Sequence, residues 1–235
     1  ETAGAIIIAA GTSSAPENNG SRVSIIAGTT TSSMRGGEIR IESGSSLLGP
    51  SGDVVVASAR GLGSGAVVLS SGSAEGELGA SGTVRVASGS SSMGRAGSVE
   101  IIVGRSNSEE EEGGALVAAA GYSEFSTGGS VSLQSGAGGP SQSSGSIVIS
   151  SASSDEINMG MTGDVSLLSG ESAVGPSGAL TLRTGSASAG TAGSVNISVG
   201  VGTSGSGGNV NITAGDTTAA AEDGGAINVV SGNGV

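Results

Sequence analysis

The most regular feature of this chain is a short alternation of aliphatic and other residues that recurs fifteen times. Most copies read Gly-x-φ-x-φ-x-Ser/Ala-Gly, where φ is Val, Ile or Leu, as in residues 37–44 (GEIRIESG) and 82–89 (GTVRVASG). We call these eight residues a repeat segment, number its positions 1 to 8, and call the residues between segments loops. The segments begin at residues 4, 21, 37, 52, 65, 82, 97, 114, 129, 145, 163, 178, 193, 208 and 225.

The alternation within each segment predicts a β-strand with one buried face. Positions 3 and 5 are aliphatic in every copy except one, where Ala118 takes position 5, whereas position 4 is mixed. A period of two residues is the mark of a half-buried strand, and the many β-branched residues suit a pleated surface. A helix is not expected, because glycine recurs too often and no period of three to four residues is present.

A single segment cannot bury its own aliphatic pair, but segments stacked in parallel register would bury all of them. The sequence therefore predicts an all-β fold, a parallel β-solenoid forming one repeat domain over residues 1–235. Either each segment with its loop forms one coil, or two segments form a coil of roughly 31 residues with two facing sheets. Segment spacing varies from 13 to 18 residues, all of it in the loops, and this favours the second arrangement.

Two other all-β folds fit the sequence less well. An antiparallel sandwich would use hairpin loops of about 2–5 residues, which are shorter than the loops of this chain. A calcium-binding β-roll would show a G-G-x-G-x-D repeat, which is missing.

The loops are rich in Ser, Gly, Thr and Ala, and many carry one large apolar residue four positions before the next segment. Glycine usually follows that residue. We interpret this pair as a corner, in which the apolar side chain closes the end of the core and glycine permits a turn with positive φ. The apolar residues are Leu48, Leu78, Met93, Phe125, Met159 and Val174.

Composition narrows the range of partners and chemistry. The net charge is −12, from 20 carboxylates and 8 arginines, which argues against binding to nucleic acid. Cysteine and histidine are absent, so the chain lacks disulfides, the commonest general base and the commonest metal ligand. No apolar stretch approaches the ~20 residues that cross a membrane. We expect no cofactor, no metal and no membrane span.

Candidate catalytic residues are few. The glycine-rich residues 61–65 resemble a phosphate-binding loop only faintly, and the chain has no Lys to complete one. Serine is abundant, but no His or Lys is present to activate it. Paired carboxylates could act as in glycosidases, although aromatic and basic groups for sugar rings are missing, and the run Glu109–Glu112 is interpreted as a solvated loop. We expect no enzyme; the carboxylates considered are Glu38, Glu42, Asp53, Glu100 and Asp164.

Three Asn-x-Ser/Thr sequons begin at Asn19, Asn196 and Asn211, so N-glycosylation is one hypothesis. The last two Asn residues lie at position 4 of neighbouring segments. Because Ser and Asn are common here, chance sequons are the simpler interpretation. The alternative role for Asn196, Asn211 and Asn228 is a ladder of stacked side-chain amides along the predicted solenoid.

The stretch 193–218, which reads GSVNISVGVGTSGSGGNVNITAGDTT, resembles Ser/Gly-rich repeat proteins of microalgae. The similarity extends over the whole chain because the repeat does. This resemblance implies a secreted or cell-surface location.

Together these features predict a structural extracellular protein, a rod, fibre or surface-coat element that self-associates. Repeats run to both ends of the chain without a cap, and exposed strand edges favour head-to-tail or lateral pairing. We also expect the sequence to be a processed product or a piece of a longer protein. The alternatives are an adhesin-like, glycan-binding or ice-binding module and, less well supported, a carbohydrate-active enzyme.

Overall fold

The computed structural model describes residues 4–14, 17, 19–76, 79–108, 110–154 and 161–234. Within these ranges the chain forms no helix and no β-strand. The prediction of a parallel β-solenoid is therefore wrong, and so are both coil arrangements derived from it.

The division of the chain into segments and loops is nevertheless visible in the backbone. All fifteen repeat segments lie in the described ranges, and none of them contains a turn or a bend. The changes of direction fall in the loops, for example at residues 47–49, 92–94 and 173–175. The repeat thus sets where the chain runs straight and where it turns.

Several loops are closed at their base by one backbone hydrogen bond. The N–H of the opening glycine at position 1 of one segment donates a hydrogen bond to the carbonyl oxygen of the closing glycine at position 8 of the segment before it. The five pairs, written donor to acceptor, are Gly37 to Gly28 at 2.9 Å, Gly52 to Gly44 at 3.0 Å, Gly129 to Gly121 at 2.9 Å, Gly145 to Gly136 at 2.9 Å and Gly225 to Gly215 at 2.8 Å.

The opening glycine lies close to the preceding segment at every junction that has one, whether or not a closing hydrogen bond is present. A Cβ placed on the opening glycine would lie within 4 Å of the residue at position 7 or position 8 of the preceding segment. The space is smallest where position 7 is valine: a Cβ at Gly114 would lie 2.8 Å from Cγ1 of Val103, and one at Gly208 would lie 2.8 Å from Cγ1 of Val199. A larger residue at these two positions would require the preceding valine side chain to move.

The hydrogen bonding between consecutive segments stops at the loop base. Beyond the closing bonds, the only other backbone pairs in the described ranges are two short ones inside loops, Gly79 to Gly76 and Gln142 to Gly139. A sheet needs a ladder of such bonds, and ordering glycine costs more backbone entropy than ordering any other residue. Burying two aliphatic side chains per repeat segment contributes little free energy compared with this entropy cost. The segments therefore do not form a ladder of hydrogen bonds.

Solvent reaches nearly all of the described chain. The total accessible surface is 23849 Å², whereas a folded monomer of this mass would expose roughly 9,000 Å². No described residue is buried. The few half-buried residues are small: Ala27, Ser43, Ser123, Ser135 and Ala214.

Contacts within the chain form two groups, Glu1–Ala118 and Ala119–Val235. The first group includes the closed loops 28–37 and 44–52. The second includes the closed loops 121–129, 136–145 and 215–225. Each part therefore uses the same local device, one hydrogen bond between glycines at the base of a loop.

Candidate association surface

The aliphatic residues at positions 3 and 5 of the segments form the most regular chemical feature of the exposed surface. Their exposure keeps the alternation seen in the sequence. In segment 52–59, Val54 at position 3 is 53% exposed and Val56 at position 5 is 70% exposed, whereas Val55 at position 4 is 83% exposed. In this segment positions 3 and 5 are therefore the less exposed ones, although the chain covers neither of them; in segment 4–11 Ile6 at position 3 is more exposed than Ile7 at position 4.

Position 7 is the position whose role the sequence did not reveal. Four of the five half-buried residues, Ala27, Ser43, Ser135 and Ala214, occupy it. Each of them lies beside a loop base that is closed by a hydrogen bond between glycines. The available signal was the steady preference for a small residue before the closing glycine, because a small side chain lets the next segment approach closely.

The loops contain a second recurring hydrogen bond that the sequence analysis also missed. In seven loops the residue two places after the closing glycine is Ser or Thr, and its hydroxyl oxygen accepts from a backbone N–H two or three residues later. In the loop after segment 37–44, the N–H of Gly49 donates to Oγ of Ser46 at 3.0 Å. Local bonds of this kind favour turns over sheet. The residues are Thr30, Ser46, Ser91, Ser106, Ser123, Ser172 and Thr217.

In four of these loops an exposed apolar residue lies between the serine and the backbone N–H that donates to it. Leu48, Met93, Phe125 and Val174 each follow a bonding serine by two residues, and all four are more than nine-tenths exposed. The interpretation of these residues as plugs of a core is therefore wrong. The same interpretation for Leu78 and Met159 lies outside the described residues.

The carboxylates considered for acid–base chemistry are spread along the chain and exposed. Glu38, Asp53, Glu100 and Asp164 are exposed and take part in no ion pair within the described ranges. Glu42 accepts from Nε of Arg40 at 2.9 Å, and its Oε2 lies 2.7 Å from Nη2 of the same arginine. An exposed pair of this kind contributes little to stability because water and salt screen it.

The described residues form no pocket. They also contain no group of three or more Asp or Glu side chains placed to hold a metal ion. Residues 61–65, which resemble a phosphate loop in sequence, are fully exposed and precede no helix. Of the acidic run, Glu110–Glu112 is exposed in a loop, whereas Glu109 lies outside the described residues.

The three sequons are accessible. Asn19, Asn196 and Asn211 are exposed, as are the hydroxyl residues of their sequons, so N-glycosylation stays a prediction at these sites. The ladder of stacked amides is not formed, because the segments that carry Asn196, Asn211 and Asn228 are not paired as strands. A flat array for ice binding would also need such pairing.

No helix in the described ranges is long and apolar enough to cross a bilayer. No protein-family model matches the chain, and neither a curated protein nor a solved structure matches it.

Proposed function

We propose that this protein is a structural extracellular element that self-associates through the aliphatic residues at positions 3 and 5 of its repeat segments. The observation that carries the proposal is that the chain buries none of these residues by itself. The proposed partner surface is the same surface on a second copy of the chain. Catalysis is not part of this proposal.

The amount of exposed surface supports association. Its excess over a folded monomer of equal mass is roughly 15,000 Å², and a stable protein interface buries only about 1,600 Å² in total. Large exposed apolar areas are unusual on monomers and mark interaction sites. The exposed surface is therefore several times larger than the area that a stable contact between two copies buries.

The repetition of the surface supports a second copy as the partner. Fourteen of the fifteen segments carry an aliphatic residue at both position 3 and position 5, so segments of one copy offer the same kind of apolar surface as segments of another. Such a surface allows association at many points along the chain, which suits a fibre or coat. An extracellular location is what the resemblance to Ser/Gly-rich repeat proteins implies, and the absence of free thiols is compatible with it.

Four consecutive segments offer a direct test, because each has valine at position 3. These are Val54, Val67, Val84 and Val99, each about half exposed. Replacing all four by serine removes apolar area from the proposed interface. Since a buried valine contributes on the order of 1.5–3 kcal/mol, the concentration at which copies associate should rise by more than about tenfold. Sedimentation velocity over a concentration series measures the concentration at which half of the chains are associated.

The matched control replaces apolar residues of the loops in the same part of the chain. Leu47→Ser, Leu48→Ser, Leu62→Ser and Met93→Ser remove at least as much apolar surface, all of it almost fully exposed. We expect this variant to associate like the unaltered protein. A loop variant that loses association while the valine variant keeps it would place the contact in the loops, and an unaltered protein that stays monomeric at millimolar concentration would refute the proposal.

A further inference from the structure

The charge of this chain is divided unevenly between segments and loops. The fifteen segments together hold five carboxylates and four arginines, a net charge of −1. The remaining residues hold fifteen carboxylates and four arginines, a net charge of −11. The surface that carries the aliphatic pairs is therefore nearly neutral, whereas the loops account for almost all of the acidity. The segment charges are Glu38, Glu42, Asp53, Glu100 and Asp164 with Arg22, Arg40, Arg85 and Arg183.

The structure leaves the loop charges unneutralised. Every described loop carboxylate is exposed, and the one ion pair in the described ranges, Arg40 with Glu42, lies inside a segment. Two of the loops whose ends are joined by a closing hydrogen bond, 121–129 and 215–225, carry carboxylates, and in these the closure keeps the charges beside the segments. When two copies meet along their segments, their acidic loops come near one another.

We infer that the acidic loops oppose the association of segments, so that ionic strength controls self-association of this protein. This inference rests on the proposed function and adds its regulation: apolar segments attract and like-charged loops repel. Exposed charges are screened over about 10 Å at 0.1 M salt and about 3 Å at 1 M. Loop repulsion between copies is therefore strong in dilute buffer and weak in concentrated salt, while the apolar attraction persists.

The loop that contains Glu110, Glu111 and Glu112 provides the sharpest test, since it has the densest run of exposed carboxylates in the described ranges. The experiment follows light scattering of the full chain at fixed concentration and pH 7 as NaCl is raised. The unaltered protein should associate as salt increases. Glu110→Gln, Glu111→Gln and Glu112→Gln together should move the midpoint of this transition to lower salt, because they remove three of the repelling charges.

The control keeps the charges and changes the side chains. Glu110→Asp, Glu111→Asp and Glu112→Asp should leave the salt midpoint of the unaltered protein in place. If the Gln and Asp variants share one midpoint, or if salt dissolves the assemblies, the inference fails and the proposed function stands. If no variant associates at any salt concentration, the proposed function fails with it, so the two failures are distinguishable.

Discussion

At the scale of single residues, the structure depends on small side chains and on local hydrogen bonds. The small Ala or Ser at position 7 lies beside the opening glycine of the next segment and is half-buried in four segments. In the loops, Ser and Thr hydroxyl oxygens accept hydrogen bonds from backbone N–H groups two or three residues later. These contacts are all short in sequence. Within the described ranges two non-glycine residues, Ser141 with φ 63° and Ala221 with φ 67°, adopt the left-handed conformation that glycine adopts more easily.

Ser141 lies in a turn whose geometry favours glycine at its position. It follows Pro140 in a turn in which the N–H of Gln142 donates to the carbonyl of Gly139 at 3.0 Å. Proline at the second position and positive φ at the third are the features of a type II turn, which favours glycine at the third position. Ser141→Gly should raise the turn population severalfold, because left-handed backbone costs other residues about 1 kcal/mol.

The temperature coefficient of the Gln142 amide proton, measured by NMR, reports that population. Ser143→Gly is the matched control, since this residue lies outside the turn. Equal coefficients in the two variants would show that the left-handed backbone of Ser141 is not what limits the turn.

At the scale of the element, the repeat predicted the boundaries well and the secondary structure badly. The straight segments and the turning loops lie where the pattern of Gly and aliphatic residues places them. Strand pairing was not predictable in the same way, because alternation reports only which side chains share a face. Whether that face is covered depends on long-range contacts, and Val54 or Val84 has the same pattern in a sheet as in an unpaired segment.

The opening glycines of two closed loops, Gly37 and Gly52, differ in the space around them. A Cβ at Gly37 would lie 3.0 Å from the backbone N of Gly28, whereas a Cβ at Gly52 would lie 3.7 Å from Cβ of Ser43. Both glycines donate the same kind of closing bond. Gly37→Ala should therefore open its loop, because backbone cannot move aside cheaply, and Gly52→Ala should leave its loop closed.

The two variants are compared by the hydrogen-exchange rates of the amides of residues 37 and 52. We expect faster exchange at position 37 in the first variant and unchanged exchange at position 52 in the second. Loss of protection at both positions would mean that closure needs glycine for its backbone freedom and that the space around the Cβ is not decisive.

At the scale of the whole molecule, the aliphatic residues of the described segments have no partner that buries them. The described chain keeps its aliphatic face in solvent and places almost all its net charge in the loops. The candidate surface could be located from sequence, because positions 3 and 5 carry it in nearly every repeat. That the chain leaves this surface uncovered could not be read from the sequence, since the same residues would form the core of a stacked fold.

The most direct measurement is amide hydrogen exchange, read by mass spectrometry on the dilute monomer and on the associated protein. We expect rapid exchange throughout the segments of the monomer, with protection limited to closing amides such as that of Gly37. On association, protection should appear across segments such as 52–59 and 82–89 and stay low in the loops between them. Strong protection of these segments already in the dilute monomer would show that the chain covers its own segments and does not leave them free for a second copy.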